Sequence, residues 1–413
     1  MAEAQHIYHL RRLLDITRRL AATTDLTELL STIVSAACEV LECERATIFL
    51  YDAKANELYS RVATGVEAIR FPADRGIAGA AAQLRTIINV PDAYADARFN
   101  QEIDRLTGYR TRNLLTFPLE NLEHQLMGVL QALNRVGGPF SPADEELAAD
   151  LAAQACIALH RYALLEQYAQ KQRMARDLEL ARRIQQELFP KSDPVLPGYE
   201  IAGWNLSADE TGGDCYDFFA LPDGRLAVLL ADATGHGIGA ALVIAECRAL
   251  LRATLSVTQD LPLVAARVNR MLSSDLLEGR FVTAFIGLLD PRTHRLDYVS
   301  AGQGPLVFAD GHRVDHRNAD GLPLAILPEA EFPASAFEFK HGATALLLTD
   351  GFYEAENSAG DQFGEERVTA HLRGGATARP SQLIRDLHAG VQAFCAGVPQ
   401  ADDLTAVVIQ RTA

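Results

Sequence analysis

Nowhere does the sequence run to 18 uninterrupted apolar residues, so no membrane-spanning helix is expected. The opening MAEAQHIYHLRRLLDITRRL sets its arginines inside an amphipathic pattern rather than ahead of an apolar stretch, and reads as an N-terminal helix over 1–23, not a secretion signal. Positive charge is scarce: 38 Lys and Arg stand against 54 Asp and Glu, a formal net charge of -16, which disfavours nucleic acid and anionic membrane as partners. The six cysteines (Cys38, Cys43, Cys156, Cys215, Cys247 and Cys395) form no CxxC pair and lie mostly in apolar surroundings. Zinc and disulfide frameworks are thereby disfavoured, and a reduced cytoplasmic protein is expected. Long internal repeats and low-complexity tracts are missing too.

What is present is ordinary globular composition, 48% hydrophobic and 22% charged over 413 residues, enough for two cored domains and a connector. Leu26, Leu29, Leu30, Ile33, Val34, Ala37, Val40 and Leu41 recur at helical spacing behind Asp25, a capping residue. Short β-rich runs follow at 46–52, 57–63, 86–90, 114–120 and 126–134, separated by Gly, Pro, Asn and Asp, which predicts a mainly antiparallel sheet. From Ser141-Pro142 a helical pattern runs with little Gly or Pro to Phe189-Pro190, a long connecting helix. Its stripe of Ile157, Leu164, Tyr168, Ala175, Leu178, Ala181, Ile184 and Leu188 needs a covering surface, either a second copy in a parallel dimer or the chain's own domains.

After the turn 190–198 the pattern changes to strands at 225–232, 281–290, 295–302, 343–350 and 404–410, with helices at 238–255, 262–277 and 381–395. A layered α/β or α+β domain is expected, with carboxylates gathered at strand ends. These carboxylates fall in four turns, TGGDCYD (211–217), ADATGHG (231–237), TDG (349–351) and ADDLT (401–405). Each turn alone reads as a β-turn. Together they would repel one another unless hard cations sat between them, and oxygen ligands favour magnesium or manganese over zinc.

The order and spacing of these motifs resemble the metal-dependent PPM phosphatases, in particular their SpoIIE-like, RsbU-like bacterial branch, across roughly 178 to 411. The similarity starts at ARRIQQELFP (181–190) and continues through TGGDCYDFF, ADATGHGIGAALV, FVTAFIGLLD, YVSAGQGPLVF, GLPLAIL, LLLTDGFYEAEN and ADDLTAVVI. The resemblance implies a protein serine/threonine phosphatase with two divalent cations, Mn2+ or Mg2+. Asp214 and Asp232 would bind the pair, Asp232 bridging and the Ala233 carbonyl assisting; Asp350 and Asp402 would complete it, with Asp403 the alternative beside Asp402. A water held between the cations would attack phosphorus in line, without a phosphoenzyme. The implied substrate is a phosphorylated STAS-type anti-sigma-factor antagonist. The sequence departs from the usual pattern at Cys215, at Ala233-Thr234 and at Gln303-Gly304, which bears on substrate fit. His236 is a turn residue or a proton carrier.

In the N-terminal half the order of elements resembles a GAF domain over 24–157, followed by a coiled-coil linker over 158–190 and the phosphatase domain over 191–413. RFNQEIDRLTGYRTRNLLTFPL (98–119) is similar to the cyclic-nucleotide-binding GAF domains of phosphodiesterases and adenylyl cyclases. Asn134-Arg135, Phe140 and Asp144 match that group's NKFDE pattern with Arg for Lys. The resemblance implies a cyclic nucleotide or other small molecule here. The other reading makes Arg135 and Asp144 a structural ion pair and Phe140 core. A non-catalytic scaffold that binds a phosphoprotein is the competing function; the four carboxylates argue against it. Degradation of a cyclic nucleotide is disfavoured, since the N-terminal half has no His/Asp metal cluster.

Overall fold

The computed structural model describes residues 12, 14–60, 69–121, 123–277, 279–311, 313–374 and 378–412. The chain divides into two compact units, 1–172 and 173–413. The architecture is mixed α and β, as the sequence implies.

Unit 1 is built on a six-stranded antiparallel sheet of β1 (Cys43–Asp52), β2 (Glu57–Tyr59), β3 (Arg70–Pro72), β4 (Ile88–Val90), β5 (Leu114–Glu120) and β6 (Leu126–Arg135), in the order β3-β2-β1-β6-β5-β4. Helix α1 (Leu26–Val40) is capped by Asp25, whose side chain accepts from the Glu28 N–H. Its face of Leu29, Leu30, Ile33 and Ala37 packs on Ile48, Phe117 and Leu130. Along β1 the period of two sends Ile48 and Leu50 to that face and Phe49 to the other, where α2 (Gly76–Leu84) supplies Ala78, Ala81 and Ala82. Neither α2, the short α3 (Gln101–Thr107) nor β3 was legible in the sequence. The expected strand at 57–63 is found only to Tyr59, and its remainder from 61 lies outside the described residues. Arg161 donates to the carbonyls of Leu20, Ala21 and Thr23, closing the C-terminal end of the helical segment 14–22.

Helix α4 (Pro142–Gln186) is the 45-residue connector. Its apolar side chains at Ile157, Leu164, Tyr168, Leu180 and Ile184 are each more than half exposed in the single chain.

Unit 2 contains two five-stranded sheets. One has the order β14-β11-β10-β9-β8, formed by β8 (Asp214–Ala220), β9 (Leu226–Ala233), β10 (Val282–Asp290), β11 (Arg295–Ala301) and β14 (Ser335–Glu338). The other has the order β13-β12-β15-β16-β7, formed by β7 (Tyr199–Leu206), β12 (Leu306–Asp310), β13 (Arg313–Arg317), β15 (Thr344–Leu348) and β16 (Leu404–Arg411). Strand β9 shows why the layers stack. Leu226, Val228 and Leu230 face a core shared with Val407 and Ile409 of the second sheet, while Ala227, Leu229 and Ala231 meet helices α5 (Ile238–Val257) and α6 (Leu261–Asp275). Beyond the second sheet, α7 (Gly351–Glu354), α8 (Gly364–Gly374) and α9 (Pro380–Cys395) cover Leu346, Leu348, Ala406 and Val408. The result is four layers, helices, sheet, sheet and helices.

Candidate active site

The period of two that builds the sandwich also aims the site. Asp214 shares the parity of Tyr216 and Phe218, and Asp232 that of Val228 and Leu230, so both carboxylates point into the gap between the sheets. They stand opposite one another in the β8/β9 register. From the second sheet, Thr349 follows the parity of Ala345 and Leu347, and Thr405 that of Val407 and Ile409. Both hydroxyls reach across and donate to Asp214 Oδ2, Thr349 at 2.7 Å and Thr405 at 2.5 Å. Asp350 lies just past β15 at the head of α7, and Asp402 lies exposed at the rim before β16.

Crowding of these acids shows in their protonation. Burial pushes the Asp214 carboxyl well above the usual carboxylate range, the charges of Asp232 and Asp403 add to the shift, and the two threonine hydroxyls oppose it. Asp232 is pushed up to about 7, first by burial and then by the charges of Asp350, Asp402 and Asp403, with a hydrogen bond from Asp214 working the other way. Asp350 is raised by burial and then by Glu354. Partial desolvation raises Asp402; the Asp403 N–H and His236 oppose, while Asp350 and Asp403 add. Asp214 and Asp232, paired across the strand register, therefore both hold protons more tightly than exposed carboxyls do.

Asp403 behaves differently from its neighbour. It is buried, its Oδ1 accepts from the Ala208 N–H at 2.8 Å and its Oδ2 from the Asp214 N–H at 3.2 Å. It ties the β16 end to the Gly212-Gly213 turn. A Cβ on Gly212 would lie 2.2 Å from Asp403 Oδ2, and one on Gly351 2.1 Å from the Asp403 carbonyl oxygen, so close approach demands glycine at both positions. The Ala233 N–H donates to the Gly213 carbonyl at 3.0 Å.

The donor set fits a hard cation: every group is oxygen, and the surplus charge is high enough to hold a proton where a cation would serve. Among the described residues no three Asp, Glu, His or Cys side chains already stand in a metal-holding group, and Asp214 Oδ2 is taken up by the threonines. His236 is exposed on its turn, with Nδ1 2.7 Å from Asp209 Oδ2. Gln303 is buried, accepting from Thr283 Oγ1 and donating to the Leu348 carbonyl. Sequence reasoning quoted the motifs holding Thr349 and Thr405 but assigned them no part; the signal was their strand parity.

The candidate residues of unit 1 are bonded within the domain. Asn134 is fully buried at φ 58°. Its Oδ1 accepts from the Arg112 N–H, and its Nδ2 donates to the Arg110 carbonyl, Tyr109 hydroxyl and Glu44 carboxylate. Arg135 Nε pairs with Asp144 Oδ2 at 2.8 Å, Asp144 also accepts from the Ser141 N–H and hydroxyl, and Phe140 is core.

A helix-sheet-sheet-helix sandwich with carboxylates at one end of its gap is the architecture of the PP2C-type phosphatase fold. The SiaA PP2C domain of Pseudomonas aeruginosa superposes with a TM-score of 0.53 at 22% identity, covering 59% of this chain and 98% of that domain. Residues 222–412 match the family model Stage II sporulation protein E (SpoIIE), and residues 25–159 match the GAF domain. The chain thus carries a GAF domain followed by a SpoIIE-type phosphatase domain. Asp232, Asp350 and Asp402 fall within the matched residues, and Asp214 precedes them. Phosphoserine phosphatase RsbP of Bacillus subtilis is 28% identical over 43% of this chain and 45% of its own length. The dual 3',5'-cyclic-AMP and -GMP phosphodiesterase 11A of Takifugu rubripes is 33% identical over 32% of this chain and 16% of its own. The chain spans less than half the length of either curated relative.

Proposed function

We propose that the protein is a cytoplasmic, metal-dependent serine/threonine protein phosphatase, with Asp214, Asp232, Asp350 and Asp402 as ligands of two divalent cations. The observation that carries this reading is the crowding of carboxylates at one end of the inter-sheet gap, strong enough to push Asp232 up to about 7. When bound, Mn2+ or Mg2+ would supply a water of lowered pKa and neutralise charge on the phosphoryl oxygens. The chain's own residues do the rest. Thr349 and Thr405 orient Asp214, and Asp403 holds the turn beneath it. Since both Asp403 oxygens accept from backbone N–H groups, Asp402 is the better ligand of the two. Ala233, one residue past Asp232, would contribute its carbonyl.

The proposed substrate is a phosphoserine or phosphothreonine on a STAS-type anti-sigma-factor antagonist, and the named activity of RsbP supports the phosphoserine class. Purified protein should release phosphate from such a phosphoprotein, and from p-nitrophenyl phosphate, with Mn2+ present and not after chelation. Binding of the phosphoprotein without turnover in Mn2+ would instead support a scaffold. A small-molecule sensing role for the GAF domain follows from its class. Its candidate residues are Asn134, Arg135, Phe140 and Asp144, which are also bonded within the domain; calorimetric titration with cyclic AMP and cyclic GMP is the check. The exposed stripe of α4 fits a parallel homodimer, so sedimentation equilibrium at micromolar concentration should give twice the chain mass. A monomer would remove the dimer from the proposal.

A further inference from the structure

Between residues 160 and 198 the chain is open to solvent or half-open at every position but one. The exception is polar: Gln185, in the last turn of α4, is 8% exposed. An amide side chain buried alone on an exposed helix costs free energy unless both its ends are satisfied. Here one residue satisfies both. Gln185 Nε2 donates to the Gly212 carbonyl at 2.6 Å, and Gln185 Oε1 accepts from the Gly212 N–H at 3.0 Å.

Gly212 is therefore gripped from two sides, by the Gln185 amide and by Asp403, whose Oδ2 occupies the space a Cβ would need. Asp214 follows two residues later. Gln185, Phe189, Asp214, Cys215, Ile244 and Arg248 line one small cavity behind the carboxylate, so the helix end and the acid share a wall. The Phe189 ring packs on Tyr216 with centroids 5.3 Å apart, a second anchor of the same segment on β8.

We propose that Gln185 is a positioning residue of the metal site: its amide fixes the Gly212 peptide, which sets the place of Asp214, and cation affinity depends on it. This rests on the phosphatase reading above. A residue that merely packed the helix end would alter stability and leave affinity alone. Replacement by Leu keeps the volume and removes both hydrogen bonds; replacement by Glu keeps the acceptor for the Gly212 N–H and sets charge against the Gly212 carbonyl.

The test is Mn2+ titration calorimetry on the full chain for wild type, Gln185→Leu, Gln185→Glu and the exposed neighbour Gln186→Leu, with metal-free melting temperature and amide exchange at 212–214 measured alongside. The expected result is roughly 10- to 100-fold weaker Mn2+ binding in Gln185→Leu, in the range for residues that orient ligands. Gln185→Glu should be intermediate, Gln186→Leu should match wild type, and exchange at 212–214 should quicken only in the Gln185 variants. Should Gln185→Leu fail to fold, Gln185→Glu decides. A lowered melting temperature with unchanged Mn2+ affinity in the Gln185 variants would overturn the proposal while leaving the phosphatase reading intact. Wild type that binds no Mn2+ would sink that reading and this proposal with it.

Discussion

Asp232→Asn should lower Mn2+-dependent hydrolysis of p-nitrophenyl phosphate by about a thousandfold. Asp232 is the acid that feels Asp350, Asp402 and Asp403 together and faces Asp214 across the strand register, so it sits at the centre of the charge that a cation would neutralise. A metal contributes several kcal/mol to transition-state charge, and losing about 4 kcal/mol is about a thousandfold in rate. The amide leaves volume and strand pairing in place, so the melting temperature without metal should not fall. Activity within tenfold of wild type would remove Asp232 from the site.

The same carboxyl gives a pH test with a definite sign. Asp232 is raised from 3.8 to about 7, so across that window the folded state holds a proton that the unfolded chain has released. Stability of the metal-free protein should therefore fall as pH rises through this range, and Mn2+ should restore it above pH 7, where the cation no longer competes with the proton. In Asp232→Asn both trends should flatten. Melting curves at pH 5, 6, 7 and 8, with Mn2+ and with chelator, make the comparison.

The sequence made the carboxylates of this site visible and left its supports hidden, for identifiable reasons. LAVLLADA (226–233) is apolar on both faces because both are buried, and its terminal Asp is then conspicuous. Asp214 was equally conspicuous, yet β8, which it begins, was read as a turn: the Gly-Gly pair before it marks close approach to Asp403, which no local rule reports. Strands β12, β13 and β14 were missed because they are five residues or fewer, and on β13 no residue is fully buried, so alternation is weak. The proposed preference for Asp402 over Asp403 rests on backbone N–H groups of Ala208 and Asp214, nearly 200 positions away, which no local pattern reports. For Arg135 and Asp144, the sequence allowed a ligand signature or a structural ion pair, and the ion pair is present beside a helix start.

Beyond the site, Asp217→Ala should destabilise unit 2 by about 3 to 5 kcal/mol. Asp217 is 2% exposed on β8, and its Oδ2 lies 3.0 Å from Arg248 Nε and 3.1 Å from Arg252 Nε, both on α5. Burial raises its carboxyl even against both guanidinium groups, so desolvation outweighs their attraction and the cluster is no net source of stability. Removing the acid alone is a different matter. Arg248, with 14% of its side chain exposed, would keep its charge among Cys215, Ile244 and Leu188 with no counter-ion, whereas Arg252, 42% exposed and stacked on Phe219, can turn outward. The Phe218 N–H would also lose its acceptor. For a unit of this size each kcal/mol moves the melting temperature by about 2 to 4 °C, so a fall of about 10 °C is expected. Arg248→Met in the Asp217→Ala background should recover much of it, because both members of the buried pair are then apolar. A double variant as unstable as Asp217→Ala would show that the unpaired arginine is not the cause.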